Sequence, residues 1–162
     1  MAKKIPLTQG KFTVVEDTDY EWLNQWKWRF DSCGYAARTD RSTGKTITIR
    51  MHRLINSTPK GLFTDHVNGN RLDNRRNNLR TATHLENSIN RTKSTNIKYK
   101  SKSRFKGVTR VKPTHRWRAR GTSSGKLMHI GWFDSEIEAA EAYNEFAKKH
   151  FGEYAQLNDI TK

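Results

Sequence analysis

The chain has 162 residues, with 31 Lys and Arg against 16 Asp and Glu and a formal net charge of +15. That length allows one domain or two small ones, and the charge calls for a polyanionic partner. The single cysteine, Cys33, excludes an internal disulfide and any Cys-rich zinc site.

No run approaches the roughly 18 apolar residues of a membrane span. The first residues, Met1 to Pro6, lack the apolar core of a signal peptide. The expected setting is therefore a reducing cytoplasm. The charge is unevenly spread. From Asn87 to Phe133 there are thirteen Lys and Arg and no acid, whereas Asp134 to Asp159 carries seven acids. An ordinary solvated face mixes both signs, so the basic block is the footprint expected of a polyanion partner.

In chain order, a short helix is expected near 17 to 25, followed by two or three strands through Gly34 to Arg38 and Ile47 to Ile49, the latter alternating with period two. Trp22, Trp26 and Trp28 cluster here. They are core residues or stacking platforms for bases, and a cluster beside strands favours core. Met51 to Ile55 reads as a short helix ended near Pro59. It carries His52, read as structural rather than catalytic although only fourteen positions from His66.

The next stretch is Asp65-His66-Val67-Asn68-Gly69-Asn70, followed by Asn78 and Asn87. A carboxylate offers a hard oxygen to a divalent cation, and the adjacent imidazole can take a proton from water. This is the composition of a one-metal phosphodiester-cleaving site. Asn68-Gly69 signals a two-residue hairpin turn. Thr83 and Glu86 fit a capping box that starts a helix at His84. The expected order is strand, hairpin or loop, strand, helix, with Asn87 in the first turns of that helix.

Residues 92 to 103 are small, polar and basic, and read as a linker. Beyond it, Arg116-Trp117-Arg118-Ala119-Arg120 alternates, placing the arginines on one strand face and Trp117 and Ala119 on the other. Phe105 to Val111 and Leu127 to Phe133 flank it as strands, with a turn at Ser123-Ser124-Gly125. From Ser135 to about His150 the apolar positions Ile137, Ala139, Ala140, Tyr143, Phe146 and Ala147 have helical period. Asp134 or Ser135 caps that helix, and Gly152 follows its end.

Two family resemblances cover most of the chain beyond residue 50. Met51 to Ile55, Asp65 to Arg80 and Glu86-Asn87-Ser88 resemble the HNH endonucleases, in the subgroup of phage and intron-associated homing enzymes. Phe105-Lys106-Gly107-Val108, Arg116 to Ala119, Ile130 to Asp134 and Glu138 to Tyr143 resemble the AP2/ERF DNA-binding domain. Together they imply an α+β chain. A ββα-metal HNH module with a β-rich N-terminal extension occupies 1–91, a basic linker 92–103, and a three-stranded antiparallel sheet packed on one helix 104–162.

The HNH resemblance implies His66 as general base, Asp65 and Asn87 as ligands of one Mg²⁺ or Mn²⁺, and Asn78 as the middle asparagine, holding the loop or orienting His66. Asparagine instead of histidine at 87 favours these harder ions over zinc. Arg75, Arg76, Arg80 and Arg91 are candidate phosphate clamps. The AP2/ERF resemblance implies DNA contacts from Lys106, Arg110, Arg116, Arg118 and Arg120, with His129 a weaker candidate. The plant pattern is only partly present, Thr109 being one divergence.

The expectation is a site-directed endonuclease acting on double-stranded DNA, nicking as a monomer, with no membrane association and no obligate protein partner evident. Two rivals stay open: a DNA-binding regulator with a silent nuclease module, and a basic RNA-binding protein.

Overall fold

The computed structural model describes residues 1–90 and 103–161, so the expected linker and Arg91 fall outside the described residues, apart from Ser103. The chain packs as two units, Met1–Ser88 and Ile89–Lys162. Both mix small antiparallel sheets with few helices.

The first unit opens with a hairpin of β1 (Ala2–Pro6) and β2 (Phe12–Glu16), paired from Ala2 opposite Glu16 to Pro6 opposite Phe12. Sequence reading did not anticipate it. Of the hairpin's residues only Ile5, Thr13 and Val15 are buried, and Lys3 and Lys4 mask the alternation. Helix α1 (Asp17–Asn24) follows, with Asp17 and Asp19 in the first turn, where the helix dipole favours acids. Strands β3 (Arg29–Phe30), β4 (Ala36–Asp40) and β5 (Ile47–Arg50) form an antiparallel sheet in that order, and α2 (Met51–Ile55) leaves it directly.

The core beneath these elements comprises Ile5, Leu7, Val15, Leu23, Trp28, Ala36, Met51, Ile55 and Leu79. Trp22 and Trp26 pack against it edge to face, and Trp28 donates its indole N–H to the Leu23 carbonyl at 2.8 Å. Trp28 is thus a core residue and the other two line its margin.

Strands β6 (Phe63–His66) and β7 (Leu79–Ala82) pair antiparallel, Phe63 opposite Ala82 and His66 opposite Leu79, and α3 (His84–Ile89) follows. The capping box is present. The Thr83 N–H reaches Glu86 Oε2 at 2.7 Å, and the Glu86 N–H reaches Thr83 Oγ1 at 3.3 Å.

The expected two-residue hairpin at Asn68-Gly69 does not form; residues 67–78 make one long loop between β6 and β7. Only Gly69 of the pair has positive φ, at 72°. Asn68 is used otherwise: its backbone N–H donates to Asn78 Oδ1 at 3.0 Å, and its carboxamide donates to Asp73 Oδ2 at 2.9 Å. Long-range bonds outbid the local turn preference.

The second unit is a three-stranded antiparallel sheet of β8 (Val108–Arg110), β9 (Trp117–Ser123) and β10 (Lys126–Phe133), with β9 central. Ser124 and Gly125, both at positive φ, turn β9 into β10. Helix α4 (Glu136–Phe151) starts with a full capping box from Ser135 and Glu138 and ends at Gly152 with φ 52°. It buries Ala139, Ala140, Tyr143, Phe146 and Ala147 on one face. Phe105, Val108 and Ala119 join that core.

Two glycines permit the close approach of helix and sheet. A Cβ at Gly121 would overlap the Phe146 ring, and one at Gly107, whose φ is 76°, would overlap the Tyr143 ring. Overpacking together with backbone strain costs roughly 3 kcal/mol. In Gly107→Ala the amides of β8 to β10 therefore lose protection against hydrogen exchange, while those of β6 and β7 keep theirs.

Candidate active site

Hydrogen bonds to the N-terminal elements and within the loop itself hold residues 67–78 in place. First, Val14 on β2 bridges it: the Val14 N–H donates to the Leu72 carbonyl at 2.8 Å and the Asn74 N–H to the Val14 carbonyl at 2.7 Å. Second, the Arg76 guanidinium grips Asp19 of α1 through both carboxylate oxygens, at 2.8 and 2.6 Å. Third, Asn78 closes the loop on itself, accepting from the Asn68 N–H and donating to the Asp73 carbonyl at 2.8 Å.

His66 ends β6 against this loop, 4 % exposed. Its Nε2 lies 3.0 Å from Asn74 Oδ1, and Asn74 is fully buried. The direction of this bond follows from donor accounting. Thr13 Oγ1 gives its one proton to the Leu72 carbonyl at 2.9 Å, so it must accept from Asn74 Nδ2 at 2.7 Å. The amide oxygen of Asn74 then faces His66, so Nε2 carries the hydrogen and Nδ1 is left as the basic nitrogen. Asn74 is the residue that sequence reading missed. It sits in a run of asparagines with nothing local to distinguish it.

Asp65, 5 % exposed, precedes His66 and lies opposite Arg80 in the ladder. Arg80 Nε and Nη2 both reach Asp65 Oδ2, at 2.9 and 2.8 Å. Arg75 holds Asp73 in a similar fork, at 2.7 and 2.6 Å, and this pulls the Asp73 carboxyl below its ordinary range. Three of the four sequence-predicted clamps are thus engaged with carboxylates; Arg80 is the least exposed of them, with 13 % of its side chain accessible.

Asn87 is half-buried on α3, its N–H bonded to the Thr83 carbonyl at 3.0 Å, and its carboxamide makes no hydrogen bond among the described residues. No group of three or more His, Cys, Asp or Glu that could hold a metal occurs among the described residues. The residues expected to hold a metal, Asp65 and Asn87, offer a carboxylate and an amide oxygen, both hard donors of the kind a divalent ion such as Mg²⁺ takes.

Two further rings flank His66. His52 on α2 packs 5.2 Å from it, centroid to centroid, and Tyr35 lies 4.6 Å from His52 and 6.0 Å from His66. Burial lowers the proton affinity of both histidines, that of His66 being partly restored by its Asn74 bond and the charges of Asp65 and Asp73.

His52, with its Nδ1 buried and without a hydrogen bond among the described residues, is pushed from 6.5 down to about 3, first by burial and then by His66. The unfolded chain takes up a proton there below pH 6.5, whereas the folded chain resists until about 3. Stability is therefore unaffected by this group above pH 6.5 and falls through that window by about 1.4 kcal/mol per pH unit. Urea midpoints followed from pH 7 to 4 decline more steeply in the wild type than in His52→Phe.

In the second unit, strand alternation puts Arg118 and Arg120 on the outer sheet face, opposite Trp132 and His129 respectively. The Arg118 guanidinium lies 5.7 Å from the Trp132 ring, and its Nε is buried without a hydrogen bond among the described residues. Trp132 itself is 41 % exposed. The remaining sequence-predicted contacts are placed differently. Arg110 pairs with Trp117, on the alternate that includes Val108; Arg116 bonds Asp134 at 3.0 Å; and Lys106, its charge disfavoured by burial, donates to the Ile89 carbonyl at 2.6 Å.

No helix among the described residues is long and apolar enough to cross a membrane. No solved structure matches the chain. Protein 3.8 of Escherichia phage T7 is 39% identical over 100 residues, covering 61% of this chain and 78% of that protein. A protein named as an uncharacterized HNH endonuclease in Acanthamoeba polyphaga mimivirus is 30% identical over 158 residues, 94% of this chain and 77% of its own length. The family model for HNH endonucleases matches residues 57–89, which span β6 with Asp65 and His66, the fastened loop, β7 and α3. With the likeness to the mimiviral protein running through nearly the whole chain, this protein belongs to the HNH endonucleases, a family of DNA-cleaving enzymes that generally depend on a divalent metal.

Proposed function

We propose that the protein is a metal-dependent, site-directed DNA endonuclease of the phage homing or homing-like type, with residues 1–91 cutting and residues 104–162 locating the site. The observation that carries the cutting role is the Thr13–Asn74–His66 chain of hydrogen bonds, which fixes one tautomer of a buried, neutral imidazole. A neutral imidazole whose hydrogen is held on Nε2 keeps Nδ1 as its basic nitrogen, and a neutral base is what the attack of water on phosphorus requires. Asp65 and Asn87 would hold one Mg²⁺ or Mn²⁺, an ion that supplies charge neutralisation at the scissile phosphate and the leaving oxygen. His66 takes the proton from the attacking water, Asn74 holds the ring, and Asn78 keeps the loop in shape. One such centre per chain makes a nick.

The outer face of the β8–β10 sheet is the proposed reading surface, in the manner of the AP2/ERF domain the sequence resembles. Arg118 and Arg120 lie there beside His129 and an exposed Trp132, with no carboxylate bonded to either arginine among the described residues. Arginine forks there suit guanine edges or phosphates in a major groove.

The Asp65–Arg80 ion pair favours one rival, a DNA-binding regulator whose nuclease module is silent, because the guanidinium engages the carboxylate that a metal would need. Incubation of supercoiled plasmid carrying phage DNA fragments with the full chain separates the two. The endonuclease converts it to open circles in Mg²⁺ and leaves it intact in EDTA. Tight binding with no strand cut in Mg²⁺ or Mn²⁺ would establish the regulator.

A further inference from the structure

We infer that Arg71, mounted on Tyr35 beside His66, is the phosphate-gripping arginine of the nuclease site and holds the DNA backbone next to the scissile bond; this rests on the nuclease reading above.

The described arginines nearest the motif differ in what already holds them. Arg75, Arg76 and Arg80 are each forked onto a carboxylate, so most of their charge is neutralised. Arg71 has no carboxylate partner among the described residues. Its Nη1 donates to the Cys33 carbonyl at 2.5 Å, and its guanidinium lies 5.0 Å from the centroid of the Tyr35 ring. A carbonyl and a ring face position the group without cancelling its charge. The Tyr35 ring is in turn 6.0 Å from the His66 ring, so the uncompensated guanidinium sits one aromatic ring away from the proposed base.

The mount is built by the N-terminal extension, which also supplies Thr13 to the Asn74–His66 chain. Asp31 Oδ1 accepts from the Cys33 and Tyr35 N–H groups at 2.9 and 2.8 Å, folding residues 31–35 into a tight loop. Gly34 at φ 84° completes it, and a Cβ there would come 3.7 Å from Arg71 Cδ. Arg50 lies over the same ring, 5.4 Å from its centroid, but is tied to Asp31. An arginine whose edge remains open after one bond to a carbonyl still has donors for a bidentate phosphate contact.

The test compares the full chain with Arg71→Gln, which can still donate to the Cys33 carbonyl but carries no charge, and with Arg71→Lys, which keeps the charge. His66→Ala serves as the cleavage control. The readouts are plasmid nicking in Mg²⁺ and the salt dependence of binding to a 30-bp duplex.

Arg71→Gln is expected to nick about 10- to 100-fold more slowly at subsaturating DNA and to lose about 0.9 from the slope of log K against log salt. Arg71→Lys keeps the slope and recovers part of the rate. Wild-type nicking and slope in Arg71→Gln, with His66→Ala inactive, overturns the inference and leaves the nuclease reading standing. Equal losses in both variants together with a lowered melting temperature also overturn it, by making Arg71 a purely structural residue. A wild-type chain that nicks no better than His66→Ala overturns the nuclease reading and the inference with it.

Discussion

His66→Ala is expected to cut plasmid about 10²- to 10⁴-fold more slowly than the wild type in Mg²⁺, the typical contribution of a positioned general base, while a gel shift on the same DNA is unchanged. The separation follows from where the residue sits. His66 is 4 % exposed, at the end of β6, and its Nε2 is committed to Asn74. It therefore offers substrate little binding surface, and what it offers the reaction is one basic nitrogen.

Burial lowers its proton affinity below the ordinary value of 6.5, so the imidazole is neutral at pH 7 without help. Protonation would silence it, and that happens only as pH falls through the lowered value. The acid limb of the wild-type rate profile thus lies below pH 6.5. His66→Ala removes the limb along with the activity; a mutant that kept the limb while losing activity would move the base to another residue.

Features set by neighbouring residues could be read from the chain, and those set by distant ones could not. Thr83 with Glu86 and Ser135 with Glu138 announce their helices because a cap is a contract between residues three apart. Ser124-Gly125 turns its hairpin for a similarly local reason. Asn68-Gly69 carries the same kind of signal and is overruled, because Asn68 bonds to Asp73 and Asn78 across the loop.

Three of the four arginines read as phosphate clamps, Arg75, Arg76 and Arg80, are held by carboxylates that the sequence did not point to. The partner of Arg76 is Asp19, 57 positions away, and that of Arg80 is Asp65, 15 away across a ladder. His52 was read as structural, and its buried ring fits that reading; what the sequence did not disclose is that it lies against His66. The N-terminal extension, left without a catalytic task by sequence alone, turns out to fasten the active-site loop through Val14, Thr13 and Asp19.

That fastening makes Asn74→Ala the second large effect expected. Asn74 Nδ2 reaches Thr13 Oγ1 from 61 positions away in sequence, and its oxygen is the partner of His66 Nε2. Truncation leaves the His66 N–H buried without an acceptor, at about 1 to 3 kcal/mol of stability. It also removes the acceptor that holds the hydrogen on Nε2, which favours its transfer to Nδ1, where the base must be. A displacement of about 1 Å at a reacting group costs about 10²-fold. The mutant therefore loses roughly that factor in kcat with KM little changed, because nothing that touches DNA has been altered.

Asn74→Asp distinguishes orientation from simple damage. The aspartate oxygen still accepts from Nε2, so the tautomer is kept, while the nearby negative charge raises the proton affinity of His66. Asn74→Asp should recover much of the rate at alkaline pH with its acid limb shifted upward relative to the wild type. If both variants lost activity equally at every pH while remaining folded, Asn74 would be supporting the loop and not the histidine.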